Sequence, residues 1–434
     1  MNKQLKQQPA AAVSIKVPRP RPTGVATAQT ILLVLGIVLI ALNLRAPLTA
    51  VGPLIGSIRE AIGLSNAVAG TLTTVPLLAF ALLSPFAPAL ARKLGVERLI
   101  MYALCLLTLG IVVRSMTGAA PLFGGTVLLG LGIAVCNVML PSIVKRDFPQ
   151  HVGIMTGVYA VAMNLCGAAA SGLSVPIARD WGLEWNGALG FWCVPAVIAV
   201  ICWLPQLRRT GLAGQAAQAA QQAGEQARQQ TASMHISGQA AGQKPRKLWR
   251  SPLAWQVTLA MGLQSFIFYI VIAWFPQILI DRGMDTEAAG WTISIMQFAL
   301  LPITFIVPIV AAKMKNQHLL VVLTGLFYIA GIGGFFMESN DWVLLWAILL
   351  GIAGGCSFSL SMMFFSLRTR TAGEAARLSG MAQAVGYLLA AGGPMLFGVL
   401  HDSSGGWRTP LIVLLAASIA FMLSGFAAGR NRTI

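Results

Sequence analysis

The sequence predicts an all-α membrane protein of twelve transmembrane helices arranged as two six-helix halves. Three observations carry that reading: long uncharged apolar runs, basic residues gathered on one side of those runs, and residues that recur in register between the halves. Of the 434 residues, 56% are hydrophobic and only 10% are charged, against about 25% charged in a soluble globular protein. Hydrophobicity alone would also fit a large core, so run length decides. A helix needs roughly 20 apolar residues to cross a bilayer, and residues 67–91, 115–144 and 257–280 hold no Asp, Glu, Lys or Arg.

Taken in order, residues 1–28 form a basic tail with Lys3, Lys6, Lys16, Arg19 and Arg21 among closely set prolines, a flexible composition. The first apolar run follows without a clear cleavage site and is expected to remain as a membrane helix. Spans are expected at 29–53, 67–91, 97–115, 119–143, 152–177 and 186–205, which make a first half over 29–205. Residues 206–251 break the pattern. They are polar and repetitive, with GQAAQAAQQAGEQARQQ at 214–230, and read as a linker without chemistry of its own. The second half, 252–429, has spans at 252–280, 287–312, 317–337, 341–366, 376–400 and 407–429, followed by a short tail, 430–434.

The net charge of +17 would suggest nucleic acid for a soluble chain. Here its distribution gives another reason. Among the Lys and Arg residues, Arg59, Arg114, Arg179, Arg282 and Arg408 fall on one side of the spans and Arg45 falls inside one. All the others fall on the side of the N-terminus, the linker and the C-terminus, which the positive-inside rule assigns to the cytoplasm. The expected location is the inner (plasma) membrane, with both termini cytoplasmic, the lipid bilayer as surroundings and no nucleic-acid partner.

The halves read as distant copies. Pro53 and Pro276 sit near the ends of their halves' first helices. Gly70, Pro88 and Lys93 recur in register as Gly290, Pro308 and Lys313, Lys145 and Gly157 as Arg368 and Gly380, and Asp180 and Trp185 as Asp402 and Trp407. Two parallel six-helix repeats joined by a linker describe the major facilitator architecture, with a site near the membrane midplane between them.

Particular stretches carry a resemblance: LNLRAPLTAVGPL at 42–54, TTVPLLAFALLSPFAPALARKLGVER at 73–98, NVMLPSIVKRDFP at 137–149, WRSPLAWQVTL at 249–259 and LSGMAQAVGYLLAAGGP at 378–394. The chain resembles the cyanate and 2-nitroimidazole transporter family of the major facilitator superfamily, and its second half looks closer to the 2-nitroimidazole branch. The resemblance implies a secondary transporter that moves a small polar or anionic solute by alternating access, with a small heteroaromatic or a linear anion as the two candidate cargoes. One departure stands out. The superfamily's loop between helices 2 and 3 usually carries an aspartate where this chain has Arg92, within PALARKLGVER at 88–98. The usual carboxylate latch is therefore missing, and gating is expected to rest on other contacts.

Arg45 is the sharpest single signal. It lies about 16 residues into the first helix, or roughly 24 Å of rise, and a central arginine costs about 2.5–3.5 kcal/mol on insertion scales. No Asp or Glu is expected in a helix interior to pair with it, so it must meet water, backbone carbonyls or an anionic ligand; Pro47 frees a carbonyl nearby. Polar residues on helices expected to face the cavity join it: Asn43, Thr49, Asn137 and Asn164 in the first half, and Gln264, Tyr269, Trp274, Gln297, Gln383 and Tyr387 in the second. Amides both donate and accept, and aromatic faces stack on flat rings. Each of these residues could equally serve helix–helix hydrogen bonding, and Arg45 could instead snorkel outward and brace loops.

Other chemistry is poorly represented. Cys105, Cys136, Cys166, Cys193, Cys202 and Cys356 all lie in apolar runs without metal-site spacing and read as small core residues. No metal or cofactor is expected. There is no HExxH, GxSxG or phosphate loop, so an enzyme is not expected, and the tails and linker are too simple for a folded signalling domain. Proton coupling lacks its usual helical carboxylate; among the histidines, His401 beside Asp402 is the nearest candidate. A monomer is expected.

Overall fold

The computed structural model describes residues 24–64, 66–207, 248–337 and 340–434. Most of the basic tail and of the linker lies outside the described residues. Within them the chain is helical, with no strand among the described residues. Numbered as spans, α1 comprises Gly24–Asn43, Ala46–Thr49 and Val51–Ile62, and α2 comprises Asn66–Leu83 and Ala87–Leu94. Then come α3 (Val96–Arg114), α4 (Ala119–Asp147), α5 (Val152–Arg179) and α6, which comprises Glu184–Phe191 and Cys193–Trp203. The second half holds α7 (Pro252–Asp281), α8 (Thr286–Lys313), α9 (His318–Gly333), α10 (Val343–Leu367), α11 (Ala372–Ser404) and α12 (Arg408–Ala428). Among the described residues, 11 spans are long and apolar enough to cross a bilayer, or 12 when the two parts of α2, bent by 57°, count as one.

The breaks follow from proline. A proline offers no amide hydrogen to the carbonyl four residues back. Pro47 thereby leaves Asn43, where the first stretch of α1 ends, and Pro195 leaves Phe191, where the first stretch of α6 ends. Pro88 does the same to Ser84 at the bend of α2. The structure differs from the sequence reading at several ends, with α4 running on to Asp147 and α11 to Ser404, and two of the differences have a clear local cause. α1 continues past residue 53 to Ile62 and stops at Gly63, whose φ of 67° favours glycine. α11 starts at Ala372, ahead of the expected 376, because Thr371 and Glu374 form a capping box: the Glu374 amide donates to Thr371 Oγ1 at 3.2 Å, and Glu374 Oε2 accepts from the Thr371 amide at 3.2 Å.

The two halves pack by one scheme. In the first, α1 lies against α5 and α6, α3 against α4 and α6, and α2 against α4; in the second, α7 lies against α11 and α12, α9 against α10 and α12, and α8 against α10. Between halves, α5 meets α8 and α2 meets α11, two crossings that exchange under the same correspondence. The recurrent glycines explain them. A Cβ on Gly157 of α5 would lie 2.9 Å from the Phe305 carbonyl oxygen of α8, and one on Gly380 of α11 would lie 2.7 Å from the Ser84 carbonyl oxygen of α2. Small residues let helices approach this closely in a membrane. Large apolar side chains such as Leu82 and Met395 point outward, 68% and 76% exposed, a surface suited to lipid.

Arg114, counted from sequence among the basic residues on the side away from the termini, lies at the end of α3 and is fully buried. Its Nη1 donates to the Pro47 carbonyl at 2.6 Å, so the end of α3 holds the middle of broken α1.

Candidate functional site

Arg45 sits in the turn where α1 opens, with φ −123° and ψ −38°. That break lets the side chain leave the α1 axis and reach α5. Its Nη1 donates to Asn164 Oδ1. The Asn164 amide nitrogen donates to the Ala160 carbonyl at 2.8 Å, which turns the amide oxygen toward the guanidinium. The guanidinium carbon also lies 4.5 Å from the centre of the Phe268 ring and 6.0 Å from that of Phe358, within cation–π range. Room for the arginine stem comes from Gly167 on α5, where a Cβ would fall 3.0 Å from Arg45 Cγ and 3.1 Å from Cδ. Thr49 Oγ1 donates to the Gly167 carbonyl at 2.7 Å and ties α1 to α5 at that level.

Arg45 lines a small cavity of about 30 Å³ between the halves, room for a water molecule or two and not for a solute. Among the described residues it is the first half's sole lining residue. α7 contributes Gln264, Ser265, Phe268 and Tyr269, α8 Leu300, α10 Gly354 and Phe358, and α11 Tyr387. Gln264 and Phe268, like Ser265 and Tyr269, are four apart and share a helix face; Gly354 and Phe358 repeat that spacing on α10. Gln264 Nε2 donates to Ser265 Oγ at 2.7 Å. The cavity thus joins one fixed cation, four aromatic rings with two phenols among them, a hydroxyl and an amide. These groups suit a flat solute against the ring faces and an anionic or electron-rich edge against the guanidinium, once the walls part to admit one.

The sequence-derived candidates divide into three groups. Arg45, Gln264, Tyr269 and Tyr387 line the cavity, and Asn164 stands behind Arg45. Gln383 and Asn137 meet across the halves, where Gln383 Nε2 donates to the Asn137 carbonyl at 3.2 Å and to Ser379 Oγ at 2.7 Å. Phe80 and Tyr387 also join the halves, with ring centres 5.0 Å apart. The rest lie elsewhere. Asn43 donates to the Leu39 and Pro195 carbonyls, joining α1 to α6. Thr49 makes the α1–α5 tie already described. Trp274 donates from Nε1 to the Pro394 carbonyl at 2.8 Å and packs on Phe397 and Trp407, and Gln297 is not among the lining residues. His401 stacks on Trp407 at 4.0 Å with Nδ1 3.1 Å from Asp402, also away from the lining. The sequence reading passed over Ser265, Phe268, Leu300, Gly354 and Phe358. The four-residue spacing from Gln264 and Tyr269 could have found Phe268 and Ser265; nothing singled out the others.

At the end of the bundle where α4 turns into α5 and α10 into α11, the halves are tied together beside a cleft of about 370 Å³ lined by Lys145, Gln150, Ser366 and Arg370. Lys145 Nζ donates to the Ser366 carbonyl at 2.5 Å, to Thr369 Oγ1 at 2.9 Å and to the Thr369 carbonyl. Beside it, Ser142 Oγ donates to the Ala372 carbonyl at 2.9 Å and Ser366 Oγ to the Pro141 carbonyl at 3.4 Å. A cation on the last carbonyls of a helix is favourably placed. Glu97, from the loop that lacks the usual aspartate, pairs instead with Arg146 at 2.7 Å within its own half.

Known proteins agree with this architecture. Residues 31–391 match the Major Facilitator Superfamily model. An uncharacterized transporter, YycB, of Bacillus subtilis (strain 168) is 43% identical over 94% of this chain and 95% of its own length. The 2-nitroimidazole transporter of Escherichia coli (strain K12) is 39% identical over 95% of this chain and 99% of its own. The cyanate transport protein CynX of the same organism is 26% identical over 86% and 91%, so the nearer resemblance to the 2-nitroimidazole branch holds along the chain. The solved proton:xylose symporter XylE superposes with a TM-score of 0.73 at 14% identity, covering 94% of this chain and 98% of that one. The chain belongs to the Major Facilitator Superfamily, a family of membrane transporters and not of enzymes.

Proposed function

We propose that this protein is a secondary-active transporter that moves a small planar heteroaromatic solute of the 2-nitroimidazole kind by alternating access. The observation that supports it most is the setting of Arg45: one fixed cation facing a cavity between the halves, with Phe268 and Phe358 beside it and Tyr269 and Tyr387 in the same lining. A nitro group or azolate edge suits the guanidinium's planar fork of donors, and the flat ring suits the aromatic walls. The two bodies that rock are residues 29–205 and 252–429, each acting within a monomer in the inner membrane. Both termini and the linker face the cytoplasm, so the Lys145 seal is the cytoplasmic gate and the cavity opens outward when that gate is shut. Cyanate, a small linear anion, is the second reading, and the single unaccompanied guanidinium favours it. Purified protein in proteoliposomes tests both. Saturable uptake of radiolabelled 2-nitroimidazole, competed weakly by cyanate, is expected; saturable uptake of cyanate alone would favour the second reading, and uptake of neither would overturn the proposal.

A further inference from the structure

We infer that the cavity loads its solute as a monovalent anion and that the carrier works by exchange, one anion inward for one outward, with one-way movement slow and driven by membrane voltage. This rests on the transport reading above and adds its coupling.

Charge is the first ground. Among the residues lining the cavity, Arg45 alone is charged, and none is a carboxylate or a histidine. A guanidinium keeps its proton at physiological pH. The phenols of Tyr269 and Tyr387 are the lining's other titratable groups, and a phenol keeps its proton at physiological pH, so no lining group gathers a proton on one side of the membrane and releases it on the other. Any proton that crosses has to ride on the solute.

The neighbours of Arg45 are the second ground. Asn164 Oδ1 and the faces of Phe268 and Phe358 are all neutral. They ease the burial of a cation without cancelling it. A monovalent anion against the free edge of the guanidinium cancels it, and the shut cavity then has no net charge. The return stroke without cargo shuts the cavity around an uncompensated charge, which a low-dielectric interior opposes strongly. Exchange avoids that stroke. One-way movement needs it, and each cycle then transfers one negative charge, so voltage acts on it. Asn164 is a positioning residue in this scheme: its amide oxygen holds the guanidinium on the return stroke.

The test uses the full chain in proteoliposomes, with radiolabelled 2-nitroimidazole at a pH where its ring N–H is dissociated. Uptake is compared between vesicles preloaded with unlabelled 2-nitroimidazole and vesicles holding buffer, at potentials set by potassium and valinomycin, with a pH dye inside. Preloading is expected to speed initial uptake by about tenfold or more, the equivalent of 1.4 kcal/mol. Preloaded uptake should ignore the potential, buffer-loaded uptake should rise when the inside is positive, and neither should acidify the lumen. Equal rates in the two kinds of vesicle, or uptake with one proton per solute, would overturn the exchange mechanism while leaving the transport reading intact. No uptake of 2-nitroimidazole or cyanate in any vesicle would overturn both. Asn164→Asp supplies the missing negative charge permanently, so the empty stroke becomes neutral and the anion-loaded stroke carries the extra charge; uptake should be slow into both kinds of vesicle, and preloading should no longer speed it. A preload advantage that survives in this variant would overturn the inference.

Discussion

Lys145 and Arg368 hold equivalent places in the two halves, yet Lys145 crosses to the other half while Arg368 stays in its own. Lys145 takes the Ser366 carbonyl and both Thr369 oxygens at the end of α10. Arg368 donates through Nε to the Ala428 carbonyl at 2.6 Å and through Nη2 to the Gly429 carbonyl at 3.1 Å and to Gln317 Oε1, which binds the end of α12 to the start of α9. One cation of the repeat joins the halves and the other consolidates one of them. The two positions therefore part company under mutation.

Lys145→Met should release the seal without loss of fold. Hydrogen bonds to a charged group contribute about 1.5–3 kcal/mol each, so the balance between gate-shut and gate-open forms should move by at least about tenfold. A cysteine at Ser142 should label faster from the linker side in Lys145→Met than in the parent. Unchanged labelling would remove Lys145 from the gate.

Arg368→Met should act on stability. It leaves the Ala428 carbonyl and Gln317 Oε1 without the Arg368 donor at a buried site, a change that costs about 1–3 kcal/mol per orphaned group, while the Gly429 carbonyl keeps the Gln317 backbone amide at 3.0 Å. A lower thermal midpoint in detergent is expected, with Ser142 labelling unchanged among the molecules that remain folded.

Gly167→Ala should mimic damage to Arg45 without touching it. The new Cβ would lie 3.0 Å from Arg45 Cγ, tighter than ordinary packing, and the stem must shift away from Asn164. Transport of 2-nitroimidazole should fall severely at normal membrane level. Gly172→Ala on the same helix, where a Cβ meets nothing within 4 Å, is the control and should transport normally.

Amide variants of single carboxylates should all transport. Glu97 serves the Arg146 pair, Asp281 accepts from Trp407 and Gln277, Glu374 caps α11, and Asp402 lies beside His401. None lines the cavity. A folded Asp281→Asn or Asp402→Asn protein that fails in the uptake assay would contradict this.

The architecture was legible because run length acts locally and persists in the fold. The breaks at Pro47, Pro88 and Pro195 were not read from the sequence, and Gly157 and Gly380 were noted only as a recurrent pair, since what a glycine packs against shows only in the fold. The site was only partly legible. Arg45 announced itself because an interior charge is expensive, and Gln264, Tyr269 and Tyr387 fell on the right helix faces. Asn43 and Trp274 did not, because a polar group on a membrane helix is satisfied by a neighbouring carbonyl as readily as by a solute. Phe268 and Phe358 went unremarked because an aromatic residue in an apolar run looks the same against lipid as against a guanidinium. The burial of Arg114 was not legible, because the carbonyl that draws it inward is exposed only by the break in α1.

Arg45→Lys, measured as 2-nitroimidazole uptake per unit of protein in the membrane, tests the central claim most directly. Lysine keeps the charge and inserts as well, but it loses the planar fork that spans Asn164 and the cavity. A strong loss of uptake is expected at matched protein level, with Arg45→Gln at least as impaired. Near-normal uptake in Arg45→Lys would mean that a point charge suffices to brace this region, and it would contradict a substrate-binding role for Arg45.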